Sequence, residues 1–366
     1  MKEIIVFCDV EMGAGNLTDD FIADAALARV IRTFAAKKYP VDIVFNGDTF
    51  DFLKCPYVLA PQPAYTRYVT AEVAVAKLEL VFTAHKRVFD ALREFVSKDK
   101  SVYFIRGNHD LEIAFPEVQR ELQKKIGKNV FFPGLVYKRH GAYIEHGQQY
   151  DIANFIPPKK LFAYHMGKKI LNNSFSSFAV ISALIPLKEQ YPFLERIKPW
   201  AVLLSLHTPI GKKINRTIAV YFLKSLVYYP LRYYDDPTRM FPRQFVGEFI
   251  RRVRYWDWDV TDYLPVFKKK RKLKEVIVLG HIHEKYVEQG RDHAIIRPGT
   301  WRDEYKVDQL SGKVEPSGKR FVRIIVNGGL RWVVVAMKSN RKALKFADIV
   351  RDEKKFLEMA RKEEGY

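Results

Sequence analysis

Asn46-Gly47-Asp48-Thr49-Phe50-Asp51 follows directly on the apolar run Val41-Asp42-Ile43-Val44-Phe45. A β-branched run that gives way to a glycine and two acids three apart reads as a strand ending in a tight, charged turn. Open α/β sheets hold their ligands at the carboxyl ends of strands, so Asp48 and Asp51 sit where a site is expected. Alone the turn is a weak signal, because an Asp there can simply cap the next helix.

Outward from this stretch the pattern recurs. Glu3-Ile4-Ile5-Val6-Phe7 runs into Cys8-Asp9-Val10-Glu11, and Ser101-Val102-Tyr103-Phe104-Ile105 runs into Arg106-Gly107-Asn108-His109-Asp110. Residues 142–145 run into His146-Gly147, and residues 275–279 into Gly280-His281-Ile282-His283. Each apolar strand therefore ends in Asp, Glu, Asn or His, the side chains that bind divalent cations. Chance supplies one or two such endings; this many mark a site. Asp9 and Glu11 are two apart, so a strand end would aim both at one point.

In order and content these motifs resemble those of the calcineurin-like metallophosphoesterases, D-x-H, G-D-x-x-D, G-N-H-D/E, H and G-H-x-H. Here they read D-x-E, G-D-x-x-D, G-N-H-D, H-G and G-H-x-H, over residues 1–146 and 275–301. The resemblance implies an α+β or α/β fold, a four-layer αββα sandwich, and an enzyme that holds two divalent metal ions. It implies that Asp9, Glu11, Asp48 and His283 hold one ion, and that Asp48, Asn108, His146 and His281 hold the other. Two dications about 3.5–4 Å apart clamp the attacking and leaving oxygens of a phosphoryl displacement. By the same resemblance His109 steadies the transition-state oxygens or protonates the leaving group, and Asp51 orients His109. Arg106 adds positive charge nearby.

Two positions depart from the family. Glu11 stands where relatives have His, which makes the site harder and richer in oxygen. That favours manganese, with iron, magnesium and zinc as alternatives, and the added charge lowers the Lewis acidity of its ion. Gln148 stands where many relatives have His; it can hydrogen-bond a phosphate but cannot relay a proton.

A chain of 366 residues with 48% hydrophobic and 14% aromatic residues can bury a large core, which excludes a disordered protein. The formal charge of +20 points to acidic partners: a phosphorylated small molecule or lipid, an anionic membrane surface, or nucleic acid. A basic solvated surface would give the same number. The two cysteines, Cys8 and Cys55, have no zinc-like spacing and require no oxidising compartment. With a strand at its start and no leader pattern, the sequence reads as cytoplasmic, held peripherally at the inner membrane face in a lipid-directed reading.

Between the motifs, a helix is expected from a cap at Thr18-Asp19-Asp20 to about Lys38, another over residues 70–96, and a third over residues 116–126 ending at Gly127. His165 and His207 lack ligand spacing and read as structural, His85 reads as a surface or packing residue, His293 as a turn residue, and His140 is given no role. Residues 1–155 and 267–340 form the expected core. Residues 156–266 form an insertion dense in aromatic, aliphatic and basic side chains, and residues 341–366 a charged helix. The apolar stretches of the insertion, residues 174–187, 200–206 and 218–231, are too short to span a bilayer, which takes about 20 residues. They read as amphipathic helices that form a lid, lie on a lipid interface, or simply pack on the core. The basic run at residues 268–272 suits phosphate or lipid headgroups, or a solvated loop. Residues 321–325 and 330–337 read as a closing hairpin through Asn327-Gly328-Gly329.

These observations support a two-metal phosphohydrolase that cleaves a phosphoester or pyrophosphate bond of a lipid-linked substrate. UDP-2,3-diacylglucosamine hydrolases are similar in combining this core with a basic, apolar helical insertion. A nuclease or nucleotide phosphodiesterase is the alternative, though the aromatic residues cluster with aliphatic ones and not along a basic strand platform. A non-catalytic scaffold would be expected to have lost more of the ligand positions.

Overall fold

The structure, a computed structural model, describes residues 1–57, 64–228, 262–270, 275–337 and 341–365, together with 231, 247 and 250. In its first strand, β1 (Lys2–Phe7), Ile5 and Phe7 face one core while Ile4 and Val6 face another. A strand covered on both faces reads as a continuous apolar run, which is how the motif-bearing strands stand out in the sequence. β2 (Val41–Asn46), β3 (Ser101–Ile105) and β4 (Val130–Phe131) extend the sheet in parallel from β1. On the other side of β1 the expected hairpin is present, Arg320–Val326 pairing antiparallel with β1 and with Leu330–Ala336.

A second sheet begins with the hairpin of β5 (Val136–Arg139) and β6 (Ala142–Glu145). Strand Val276–Leu279 lies parallel to β6, Ala294–Arg297 lies parallel to that, and Tyr286–Gln289 closes the edge antiparallel. The sheets pack face to face, with Ile4, Val6, Val44 and Ile105 against Ile144, Val278 and Ile296. Helices α1 (Asp24–Ala35), α2 (Ala71–Ala84), α3 (Lys86–Val96) and α4 (Pro116–Ile126) cover the outer face of the first sheet. Helix Leu264–Lys270 covers the second through Leu264 and Phe267. The result is the four-layer αββα sandwich. Cys8 and Cys55 are buried free thiols, and Cys8 packs between the sheets.

Two helix expectations are corrected. The first helix starts at Asp24, because Asp19 and Asp20 are fully buried and engaged elsewhere. Asp19 accepts hydrogen bonds from the amides of Gly13, Gly15 and Phe21, and Asp20 pairs with Lys54 and Lys188. The helix expected over residues 70–96 breaks at His85, whose buried ring lies 3.0 Å from both Asp19 and Asp24. Burial pushes its pKa down, but the two carboxylates outweigh that and raise it to about 9. An imidazolium held between two acids turns the chain where periodicity alone shows one helix. The third helix runs from Pro116 to Ile126 and stops at Gly127, as its proline and glycine indicate.

The insertion is largely helical where described. Phe175–Ala179, Val180–Leu184 and Ile185–Lys188 follow without a break, then Trp200–Leu206 and Thr208–Leu223. A small hairpin, Phe162–His165 with Lys168–Leu171, is an addition the sequence pattern did not show. No helix among the described residues is long and apolar enough to cross a membrane. Most of residues 241–258 of the insertion, where Phe, Trp and Tyr mix with Arg in the sequence, lie outside the described residues, as do Arg271 and Lys272; Lys268, Lys269 and Lys270 end a helix. A small sheet joins Ile197–Lys198, Tyr305–Val307, Lys313–Pro316 and Leu344–Lys345, so insertion, core and tail share one set of strands. The tail helices Phe346–Arg351 and Glu353–Glu364 bury Phe346, Ile349 and Leu357 against that sheet and its neighbours.

Candidate metal centre

The loops leaving β1, β2, β3, β6 and Val276–Leu279 meet at one end of the sandwich. Asp9, Glu11, Asp48 and His281 all adopt left-handed backbone conformations, with φ of 51°, 55°, 45° and 69°. Non-glycine residues there carry about 1–3 kcal/mol of strain each, which persists only where the surroundings over-determine it. Strand alternation, expected to aim Asp9 and Glu11 at one point, therefore does not act here. β1 ends at Phe7, and the two acids converge because the loop folds back. The amides of Glu11 and Met12 donate to the carbonyls of Asp48 and Thr49, while Thr300 Oγ1 and the Trp301 amide both donate to the Asp9 carbonyl. Two glycines are dictated by close approach: a Cβ on Gly107 would lie 2.1 Å from Asp48 Oδ1, and one on Gly280 would lie 2.8 Å from His146 Nδ1.

Lone pairs converge on this space. His146 Nδ1 donates to the Asn46 carbonyl at 3.0 Å, which turns Nε2 toward Asp48 Oδ2 at 3.0 Å and Asn108 Oδ1 at 3.2 Å. One ligand atom from each of Asp48, His146 and His281 lies within 4.8 Å of the others, and all three residues are buried. His283 meets Glu304 through Nδ1 at 2.7 Å and turns Nε2 toward Glu11 Oε1 at 3.3 Å and Asp9 Oδ1 at 3.7 Å. Asp9 Oδ2 is buried with no hydrogen-bond partner among the described residues. Rings anchored through one nitrogen, with the other aimed at carboxylate and amide oxygens, are what a divalent cation requires. The residues fit such an ion.

The local field agrees. Burial pushes the imidazoles of His146 and His283 down, but Asp48 and Asp9 raise His146 to about 9, and Glu304, Glu11 and Asp9 raise His283 to about 10. The negative potential that holds those protons also attracts a dication.

The structure brings all the sequence-derived site residues to this end of the sandwich. His109 is partly buried, its Nδ1 3.0 Å from Asp51 Oδ1, and it clusters with Glu11 and Asp48. Burial lowers its pKa, and Asp51, Glu11 and Asp48 overcome this to raise it to about 10. Gln148 donates its amide to the Arg106 carbonyl at 3.0 Å, leaving Oε1 as its unengaged polar atom among the described residues.

Several partners carried no motif signal. Asp151 meets His281 Nε2 at 3.1 Å, and Glu304 holds His283. The Tyr263 hydroxyl lies 3.0 and 2.9 Å from the carbonyls of His146 and Gly280, tying the two histidine loops together. Lys54 and Arg302 flank Glu11, with Arg302 Nη1 3.4 Å and Lys54 Nζ 3.7 Å from its carboxylate. Burial pushes the Glu11 carboxyl up, and Arg302, His109, His283 and Lys54 hold it well below the usual range. Glu11 is therefore an ion-paired carboxylate, and the negative charge it adds is met by Arg302 and Lys54. A further acidic group, Glu11, Asp20 and Asp51, surrounds the Lys54 ammonium, which already fills it. Only the tertiary fold brings these pairs together.

Among solved structures the chain is similar to a protein assigned as a 5'-nucleotidase from Staphylococcus aureus, solved in complex with alpha-ketoglutarate. Identity is 12% and the TM-score 0.28, with 96% of this chain and 57% of that chain covered, so the chain spans little more than half of that protein. A likeness this slight carries no argument about function. No curated protein matches the chain. The pattern of the calcineurin-like phosphoesterases matches residues 20–285, well over half of the chain, and takes in Asp48, Asn108, His109, His146, His281 and His283. With the four-layer fold and the cation-seeking cluster at its strand ends, the chain belongs to the calcineurin-like phosphoesterase family, metal-dependent hydrolases of phosphoester bonds.

Proposed function

We propose that the protein hydrolyses a phosphoester or pyrophosphate bond using two divalent cations, manganese favoured. Asp9, Glu11, Asp48 and His283 would hold one, and Asp48, Asn108, His146 and His281 the other. The observation that carries this reading is the approach of Asp48 Oδ2 and Asn108 Oδ1 to His146 Nε2, at 3.0 and 3.2 Å. Bound cations would supply Lewis acidity toward the phosphoryl oxygens and lower the pKa of an attacking water.

The chain's own residues provide the remaining chemistry. His109, cationic at neutral pH, stabilises charge on the phosphoryl oxygens and can release a proton from Nε2 to the leaving oxygen. Its Nδ1 is held by Asp51, which in turn pairs with Lys54 at 2.8 Å, so the ring keeps one orientation. Arg106 and the second N–H of the Gln148 amide, the one not given to the Arg106 carbonyl, would donate to the substrate phosphate.

For the substrate, a lipid-linked phosphate or pyrophosphate is favoured. Supporting it are the charge of +20 and the helix Thr208–Leu223, where Lys212, Lys213 and Arg216 accompany exposed Val220 and Leu223. The same features support a peripheral place on an anionic membrane surface. A nucleic-acid substrate draws support from the charge alone.

Hydrolysis of bis-p-nitrophenyl phosphate by metal-stripped protein, given manganese, magnesium or zinc, tests the reaction. Manganese-dependent turnover that disappears in Asp48→Ala is expected. A metal-independent rate would overturn the assignment. Turnover of soluble esters combined with none of any lipid pyrophosphate would overturn the lipid reading.

A further inference from the structure

Charge around the proposed ligands is lopsided. Among the described residues, the ion pairs of Asp9 and Asp48 are with histidines, and His281 pairs with Asp151. Glu11 differs. Arg302 Nη1 lies 3.4 Å from both of its oxygens, and Lys54 lies behind at 3.7 Å. Neither cation can withdraw. Arg302 is buried and fixed by Asp20 at 2.9 Å, with Glu195 at 3.7 Å and Glu304 at 3.9 Å. A guanidinium does not give up its proton in a protein. Lys54 is fully buried among Asp20, Asp51 and Glu195 at 2.8, 2.8 and 3.0 Å. Arg302 also reaches the second ligand of that half of the centre, because its neighbour Glu304 holds His283 at 2.7 Å.

We infer that Arg302, backed by Lys54, makes the two cation positions unequal: the one at Asp48, Asn108, His146 and His281 fills first, and the one at Asp9, Glu11 and His283 binds weakly. A dication at the second position must share the Glu11 carboxylate with a guanidinium that already occupies it. In a buried, poorly screened setting the two positive charges repel strongly. Among the described residues the first position has no such competitor. Arg302 is thus a positioning residue that sets cation affinity, and the inference rests on the ligand assignment proposed above.

Calorimetric titration of manganese chloride into the metal-stripped full chain tests it without recourse to activity. Wild type should show two events with Kd values at least tenfold apart, and Asn108→Ala should remove the tighter. Arg302→Met should tighten the weaker event at least tenfold, whereas Arg302→Lys should keep it near the wild-type value. Should Arg302→Met fail to fold by circular dichroism, the double variant Arg302→Gln with Asp20→Asn removes one charge of each sign and should tighten it likewise. Equal affinities in wild type, loss of the weaker event in Asn108→Ala, or an unchanged weaker Kd on removal of the guanidinium would overturn the inference. No manganese binding at all in wild type would overturn the proposed centre itself.

Discussion

Asp48 commits both carboxylate oxygens to the centre, Oδ2 toward His146 and Oδ1 to the His109 amide, and Gly107 packs directly on it. A methyl group on Gly107 has no room and must push the carboxylate aside. Displacements of about 1 Å in such sites lower rates by about 10²-fold, so Gly107→Ala should lose about that much turnover while its circular dichroism stays unchanged. Asp51 acts one step further out, through His109. Asp51→Asn should lower kcat by about 10²-fold or more, the usual scale of a general acid, while manganese binding is retained. The pH profile separates this from a structural defect. Wild-type activity that needs protonated His109 should fall on the alkaline side of its profile, and in Asp51→Asn the fall should move to lower pH because the main raising charge has gone.

At the scale of elements, His85 decides how α1, α2 and α3 meet. Its folded pKa of about 9 lies above the ordinary value of 6.5, so its contribution to stability is fully present below about pH 6.5 and is lost as pH rises through about 9. The shift corresponds to about 3 kcal/mol. In chemical denaturation at pH 6 and pH 10, the loss of stability in wild type should exceed that in His85→Ala by an amount of that order. His85→Ala leaves Asp19 and Asp24 buried without a cation and should destabilise the protein by about 3–5 kcal/mol at pH 6. Because Asp19 also accepts the amides of Gly13 and Gly15, the loop that follows Glu11 should lose amide protection in hydrogen exchange. The period-3.6 pattern over residues 70–96 is real on both sides of the break, which is why it hides the break.

For the whole molecule, cation loading and pH are coupled. In the metal-free protein His146 and His283 hold their protons up to about pH 9 and about pH 10, and a bound cation must displace them. Manganese affinity should therefore rise with pH from neutrality toward that range. Calorimetry in buffers of different ionisation enthalpy should register proton release on binding. A net charge of +20 should also draw the protein to anionic vesicles, and binding should collapse between 0.1 M and 1 M salt as the Debye length falls from about 10 to about 3 Å. Co-sedimentation that ignores salt, or that is as strong on neutral vesicles, would count against an electrostatic surface role.

The sequence by itself determined the strands and the residues at their ends. These are local properties: an apolar run of five or six residues, then a turn rich in Gly, Asp, Asn and His, is legible without knowing what lies opposite. It also determined α4 and the closing hairpin, whose Pro, Gly and Asn-Gly-Gly signals act within a few residues. Only the tertiary structure decided how the ends converge, since Asp9 and Glu11 meet their partners through left-handed loop residues pinned to Asp48, Thr49, Thr300 and Trp301. It alone decided what surrounds Glu11. Lys54 comes from the helical turn Phe52–Lys54 beyond β2 and Arg302 arrives from 291 residues away, and no periodicity records a charge that is neutralised across such distances. Buried charges are set by what folding brings beside them, so the chemistry of a carboxylate read from sequence is complete only once its counter-charges are in place.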